Sequence, residues 1–322
     1  MKSNARLRFS RTAIATTLTL LLCACSDSDS DKDSTDNGDN SLAAKQDVSV
    51  QFAAKFGDAD LRCGETVAVN GTDYRVDDFR FFISDLKLLS DNGTEAAVEL
   101  DQDGQWQYEN VALVDLENAT ADACSGTDET NNVVSGSYTA PTAGNVSGMC
   151  FTLGVPYALN HEFTSRNDDA PAPLNATGMS WSWMLGHKFM RIDGVGSPGD
   201  INQSYHIHLG STGCSNAAEG GENDSSAVPT AECVYPNTVE ICLDSFNADT
   251  QQVAVDLQAL LGDSDVSYNT EGTAAGCMSF NNDPECAEIM PNIGLSFSYE
   301  DGANEPLVYP AETQTVFRAE SL

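Results

Sequence analysis

TVAVNGTDYRV, residues 66–76, sets Asn70-Gly71 between two short apolar runs. An Asn-Gly pair in that setting is the strongest short-range hairpin signal, because the two-residue turn needs positive φ at both positions. The reading extends outward from there. Upstream, Val48, Val50, Phe52, Ala54 and Phe56 alternate with more polar residues, as in a half-buried strand. Downstream, residues 79–89 form another strand-like run that stops at Asp91-Asn92-Gly93. Residues 111–116, 149–155, 205–209, 239–243, 293–299 and 314–318 extend the pattern, while 253–261 turns helical near its end. Long polar connections fall at 118–132 and 215–230, and no repeat period stands out. The pattern predicts an all-β domain, a disulfide-stapled sandwich or barrel-like fold with long loops.

The N-terminus reads as an export signal. Lys2, Arg6, Arg8 and Arg11 precede a short apolar run that ends in Leu22-Cys23-Ala24-Cys25. A leucine, two small residues and a cysteine are what lipoprotein signal peptidases recognise. Residues 1–24 are therefore expected to be removed, leaving Cys25 lipidated as a membrane anchor. Ser26 after the lipid site favours the outer membrane, facing the periplasm or the cell surface. Residues 25–47 are nearly devoid of apolar side chains and read as a disordered acidic tether, leaving 48–322 as the domain. Removing four basic and no acidic residues with the signal takes the formal charge from −34 to −38. That charge argues against nucleic acid as a partner.

Eight cysteines remain beyond Cys23 and Cys25: Cys63, Cys124, Cys150, Cys214, Cys233, Cys242, Cys277 and Cys286. An even number in an exported chain reads as disulfides. Cys277 with Cys286, and Cys214 with Cys233, are plausible local loops, and no CxxC is present in the domain. No GxSxG, P-loop or HExxH appears either. No acid–base pair or activated nucleophile stands out, so the chain is not expected to be an enzyme. Asp101-Gln102-Asp103-Gly104 resembles the start of a calcium loop but lacks the later acidic ligand, which makes it a tight turn.

All four histidines, His161, His187, His206 and His208, lie within 48 residues of one another in a chain of 322. On a strand over 205–209, His206 and His208 share one face, where two imidazoles can meet one metal ion at roughly 2.0 Å. Trp181 and Trp183 would likewise share a strand face. Paired tryptophans are most often packing, but beside histidines and Met184 they also suit a soft, redox-active metal such as copper. The alternative is a surface recognition or adhesion lipoprotein without metal, in which these side chains are structural.

Several stretches resemble the MbnP-like proteins, four-cysteine partners of di-haem MauG/MbnH-like enzymes. They are residues 78–84 (DFRFFIS), 153–161 (LGVPYALNH), 170–174 (APAPL), 181–183 (WSW), 208–214 (HLGSTGC) and 276–279 (GCMS). They run in order across almost the whole domain. The resemblance implies a copper-binding protein, related to the proteins CorA and MopE, in which a tryptophan oxidised to kynurenine joins histidines around one copper ion. Carried over, His161 and His208 are the ligand candidates. Trp181 or Trp183 is the candidate for oxidation, and the di-haem enzyme is the partner. His206 is added by strand geometry alone. His187 stands where relatives are expected to have tyrosine, and eight cysteines exceed the family's four.

Overall fold

The computed structural model describes residues 45–117, 124, 129–140, 144–162, 170–182, 184–197, 201–218 and 221–322. The expected signal peptide, Cys25 and all of the expected tether except Lys45–Asp47 lie outside the described residues. Those three residues belong to the first strand, Lys45–Phe56, and pair with Thr139, Tyr138 and Ser137. Three residues expected to belong to the tether are thus part of the sheet.

The hairpin forms where Asn70-Gly71 places it. Thr66–Val69 pairs antiparallel with Thr72–Ser90, and Asn70 and Gly71 take φ of 48° and 88°. The second arm continues far beyond residue 76. It runs for 19 residues and absorbs the run expected separately at 79–89. Asp77 and Asp78 look like a break in the sequence but do not interrupt the strand. Arg75 Nε and Nη2 donate to the Asp77 carboxylate, and Arg80 Nε and Nη2 donate to that of Asp78.

This long strand is the centre of a curled, half-barrel sheet. From edge to edge the main path is Gly276–Cys277, His206–Leu209, Met190–Ser197, Thr72–Ser90, Glu95–Leu100, Val133–Thr139, Lys45–Phe56, Gln251–Asp256 and Phe317–Ser321. Val111–Asp115 and Val146–Leu153 also pair with the long strand. Helices are short: Tyr157–Asn160 and Leu257–Leu261, the latter capped by the Asp256 carboxylate, which accepts from the amides of Gln258 and Ala259. The expected strand at 293–299 is replaced in its first part by a 3₁₀ turn, Pro291–Ile293, and survives as Phe297–Tyr299. Trp181 and Ser182 belong to no strand, contrary to the expected shared strand face. At 101–104 the tight turn is present: Asp103 Oδ1 accepts from the amides of Gln105, Trp106 and Gln107.

From Phe79 to Ile83 every residue of the long strand is buried, so both of its faces are covered. Phe79, Phe81 and Ile83 enter the main core. There Phe52, Phe81, Phe151 and Phe317 form a ring of edge-to-face contacts, with centroids 5.4–5.9 Å apart. Four strands distant in sequence meet at these rings. On the opposite face, Phe82 joins Leu113, Leu174, Met179 and Phe189 in a smaller apolar cluster, and Asp78 and Arg80 extend that face as a polar continuation.

Four disulfides staple the described chain: Cys63–Cys124, Cys150–Cys242, Cys214–Cys233 and Cys277–Cys286. The two short loops match the local pairings read from sequence. Cys150 and Cys242 stand directly opposite on paired strands.

The aromatic ring gives a stability test. Phe317→Ala opens a cavity at the point where the C-terminal strand meets the core. Denaturant titration with the disulfides intact is expected to show a loss of about 3–5 kcal/mol, far more than Phe317→Leu.

Candidate metal centre

The polar half of the second face is a cross-strand row. Asp115 stands opposite Arg80, Arg80 opposite Arg191, and Arg191 opposite His208. One step along, Asp193 stands opposite Asp78, and the register shifts immediately afterwards. Such irregularities re-aim side chains and are common beside functional sites.

His206–Leu209 alternates as the sequence predicts. Ile207 and Leu209 enter the main core, and the two imidazoles take the other side. The rings of His206 and His208 stack at 5.6 Å with an interplanar angle of 17°. Both face Asp193. His208 Nε2 lies 2.5 Å from Asp193 Oδ1, and His206 Nδ1 lies 3.2 Å from the same oxygen. His206 Nδ1 is itself buried. One donor atom from each of Asp193, His206 and His208 lies within 4.8 Å of the other two, a spacing that one metal ion can bridge. On its far side, Asp193 Oδ2 accepts from Arg191 Nε and Nη2 at 2.9 and 2.5 Å.

Electrostatics prepare these groups as ligands. Burial works to raise the Asp193 carboxyl, but the two imidazoles and Arg191 outweigh it and hold the group far below the usual carboxylate range. Burial brings His208 down to about 4; Asp193 pulls it upward, and the Lys188 charge opposes that pull. At neutral pH the site therefore presents a neutral imidazole beside a carboxylate, the donor states a metal needs.

His161 lies elsewhere. Its Nε2 is 3.2 Å from Asn160 Nδ2 and 3.7 Å from Cys233 Sγ, and its ring is 5.1 Å from that of Tyr157. The cysteines beside it are joined in Cys214–Cys233 and offer no thiolate. The structure does not bring His161 into the Asp193–His206–His208 group. His187 is fully buried, with Nδ1 3.0 Å from the Asn160 carbonyl and Nε2 2.9 Å from that of Leu174, so neither nitrogen is offered to a metal.

Trp181 packs against the backbone just past His208. A Cβ on Gly210 would sit 2.6 Å from Trp181 Cζ3, and the ring lies 6.1 Å from Phe280. Trp183 lies outside the described residues. The segment carrying Trp181 is held by cations of the row: Arg80 Nη1 donates to the Thr177 carbonyl and Lys188 Nζ to that of Gly178. Gly178, at φ 79°, has no room for a side chain, because a Cβ there would meet Arg191 Nη1 at 1.8 Å.

Sequence reasoning missed Asp193, one of 49 acidic residues. The alternation in Met190-Arg191-Ile192-Asp193 was its signal, and only strand pairing places it beside the histidines.

The MbnP family model matches residues 45–279. Among solved structures, MbnP from Methylosinus trichosporium superposes with a TM-score of 0.69 at 26% identity, over 86% of this chain and 99% of that one. No curated protein matches the chain.

Two outcomes check the site's framework. Gly210→Ala collides with Trp181 and with the His187 carbonyl. It is expected to cost about 1–3 kcal/mol and to change tryptophan fluorescence. Burial lowers the His187 pKa from 6.5. As pH falls below 6.5 the unfolded chain gains a proton that the folded chain resists, so His187 makes the fold less stable in acid. Urea titrations between pH 7 and 5 are expected to show a smaller loss for His187→Asn than for the wild type.

Proposed function

The chain belongs to the MbnP family, and from that premise we propose that it is an exported copper-binding protein with its metal centre at Asp193, His206 and His208. The observation that carries this reading is the convergence of two imidazoles on one carboxylate oxygen, with one donor atom from each of the three residues within 4.8 Å of the other two. The donor set, two imidazole nitrogens and one carboxylate oxygen, suits copper by chemical type. Copper, when bound, supplies a redox-active centre. The chain's own residues hold Asp193 anionic and His208 neutral at neutral pH.

In this reading Trp181 is the tryptophan converted to kynurenine, and a di-haem MauG/MbnH-like enzyme performs the oxidation. Indole N–H only donates, whereas ring opening yields an aniline nitrogen and a ketone. Support comes from the place of Trp181, wedged against Gly210 two residues beyond His208. The protein acts as a carrier or store of metal and not as a catalyst. Cys25 anchors it by lipid to the outer membrane. His161 is left out of the ligand set, since its neighbours are Asn160, Tyr157 and a cystine.

Protein produced with its di-haem partner is expected to hold one copper per chain and to show oxidation of one tryptophan by intact mass. His208→Ala should abolish stoichiometric copper, and Asp193→Asn should weaken binding by about 10–100-fold. Trp181→Phe should remove the mass change, whereas Trp183→Phe should keep it. Copper retained by the His206→Ala/His208→Ala protein would overturn this assignment.

A further inference from the structure

His161 has no part in the centre at Asp193, yet its own surroundings are specific. Its side chain is buried, and Nε2 lies 3.7 Å from Cys233 Sγ. One donor atom from each of His161, Cys214 and Cys233 lies within 4.8 Å of the other two. Asn160 sets the ring's protonation pattern. Its Oδ1 accepts from the His187 amide at 2.7 Å, which fixes the side-chain amide, and its Nδ2 faces His161 Nε2 at 3.2 Å. An amide nitrogen only donates, so Nε2 is the accepting nitrogen of the ring. Asn160 Nδ2 also reaches Ser211 Oγ at 3.3 Å, so it keeps a partner if Nε2 turns to another.

The two cysteines do not depend on their bond for proximity. Thr212 and Tyr235 exchange both backbone hydrogen bonds, the Val234 amide donates to the Gly213 carbonyl, and the Thr230 amide donates to the Ser215 carbonyl. These bonds flank Cys214 and Cys233 on the two segments. Opening the disulfide therefore frees the sulfurs to rotate apart while the backbone keeps them side by side. The bond can also be reached. Cys233 lines a cavity of about 370 Å³ together with Ser211 and the exposed Tyr157 and Glu232.

We propose that reduction of Cys214–Cys233 completes, with His161, a trigonal site for Cu(I). A thiolate of an external dithiol attacks Cys233 Sγ, the protein S–S bond breaks, and Cys214 leaves and takes up a proton. The reagent's second thiol then displaces Cys233 and closes the reagent's own disulfide, so two electrons pass from the reagent to the protein. Cu(I) replaces the two thiol protons, and His161 Nε2 is the third donor. Two sulfurs and one imidazole suit a soft monovalent copper ion. With metal–sulfur and metal–nitrogen bonds of about 2.3 and 2.0 Å, ligand atoms set 120° apart are about 3.7 Å from each other. His161 Nε2 and Cys233 Sγ already stand at that separation. The site shares no residue with the Asp193 centre and does not rest on it.

The test uses mature His206→Ala/His208→Ala protein, so that the first centre is removed. A small dithiol is applied without oxygen, and alkylation with peptide mass mapping reads which disulfides have opened. Cu(I) is then titrated against a Cu(I)-selective chelator. One tightly held Cu(I) per chain is expected after Cys214–Cys233 has opened and none before. X-ray absorption of the loaded protein should show two sulfur neighbours and one nitrogen. Adding Cys214→Ser/Cys233→Ser should remove this ion. Adding His161→Ala, which leaves the disulfide and both thiols in place, should weaken it at least about 10-fold. Equal affinity in the His161→Ala protein would overturn the site, and so would a Cys214–Cys233 bond that no dithiol opens while the protein is folded. Both of those readings stand even if the double serine variant does not fold.

Discussion

Burying a row of charges on the second face of one strand is the constraint around which this molecule is arranged. Arg80 is 5% exposed and Asp78 0%, in the middle of a strand that is packed on both sides. Charges taken out of water on that scale are tolerated only when each is paired and hydrogen-bonded. Four of its members, Asp78, Arg80, Arg191 and Asp193, meet that demand by interlocking. Asp78 accepts from Arg80 and also lies 3.1 Å from Arg191 Nε, while Arg191 reaches on to Asp193. Removing any one member would strand a neighbour, so the four residues act as one unit. The segment above them is fixed by the same unit, since its carbonyls at Thr177 and Gly178 are acceptors for Arg80 and Lys188.

The placement of the histidines follows from this. Their strand is only four residues long and lies next to the sheet's two-residue edge, Gly276–Cys277. A short strand near an edge would ordinarily be a poor platform for a precise constellation of ligands. Here Ile207 is opposite Cys277, and Cys277 is tied through its disulfide to Cys286 in the 3₁₀ turn Pro284–Glu288. Ser279 adds a second tie, since its hydroxyl donates to the His208 carbonyl and accepts from the Gly210 amide. The eight cysteines therefore do more than hold loops: one disulfide secures the edge on which the imidazoles stand.

What was legible in the sequence depended on contrast between faces. The hairpin at Asn70-Gly71 and the His206/His208 pair were readable because period-two alternation separates buried from polar positions there. The same rule failed within Thr72–Ser90, where both faces are buried and the contrast vanishes. It also failed at Asp77-Asp78, where two adjacent acids resemble a turn. A weaker signal was present. Arg75/Asp77, Asp78/Arg80 and Arg191/Asp193 are opposite charges two residues apart, which a strand places on one face and which here are hydrogen-bonded. Disulfides closing short loops were readable from spacing, whereas Cys150–Cys242 needed the register of two strands. Strand geometry brought in His206, and motif resemblance alone pointed to His161. In the fold only the former stands beside His208, because Tyr157–Asn160 leads His161 toward Cys233 instead.

The same network shapes the donor set beside the histidines. Arg191 occupies Oδ2 of Asp193, leaving Oδ1 alone to face the imidazoles. A carboxylate restricted to one oxygen is a poor ligand for calcium, which favours many oxygens and bidentate contacts, and an adequate one for copper beside nitrogen. The salt-bridge network that makes the fold tolerable thus also sets which donors the histidine end can offer.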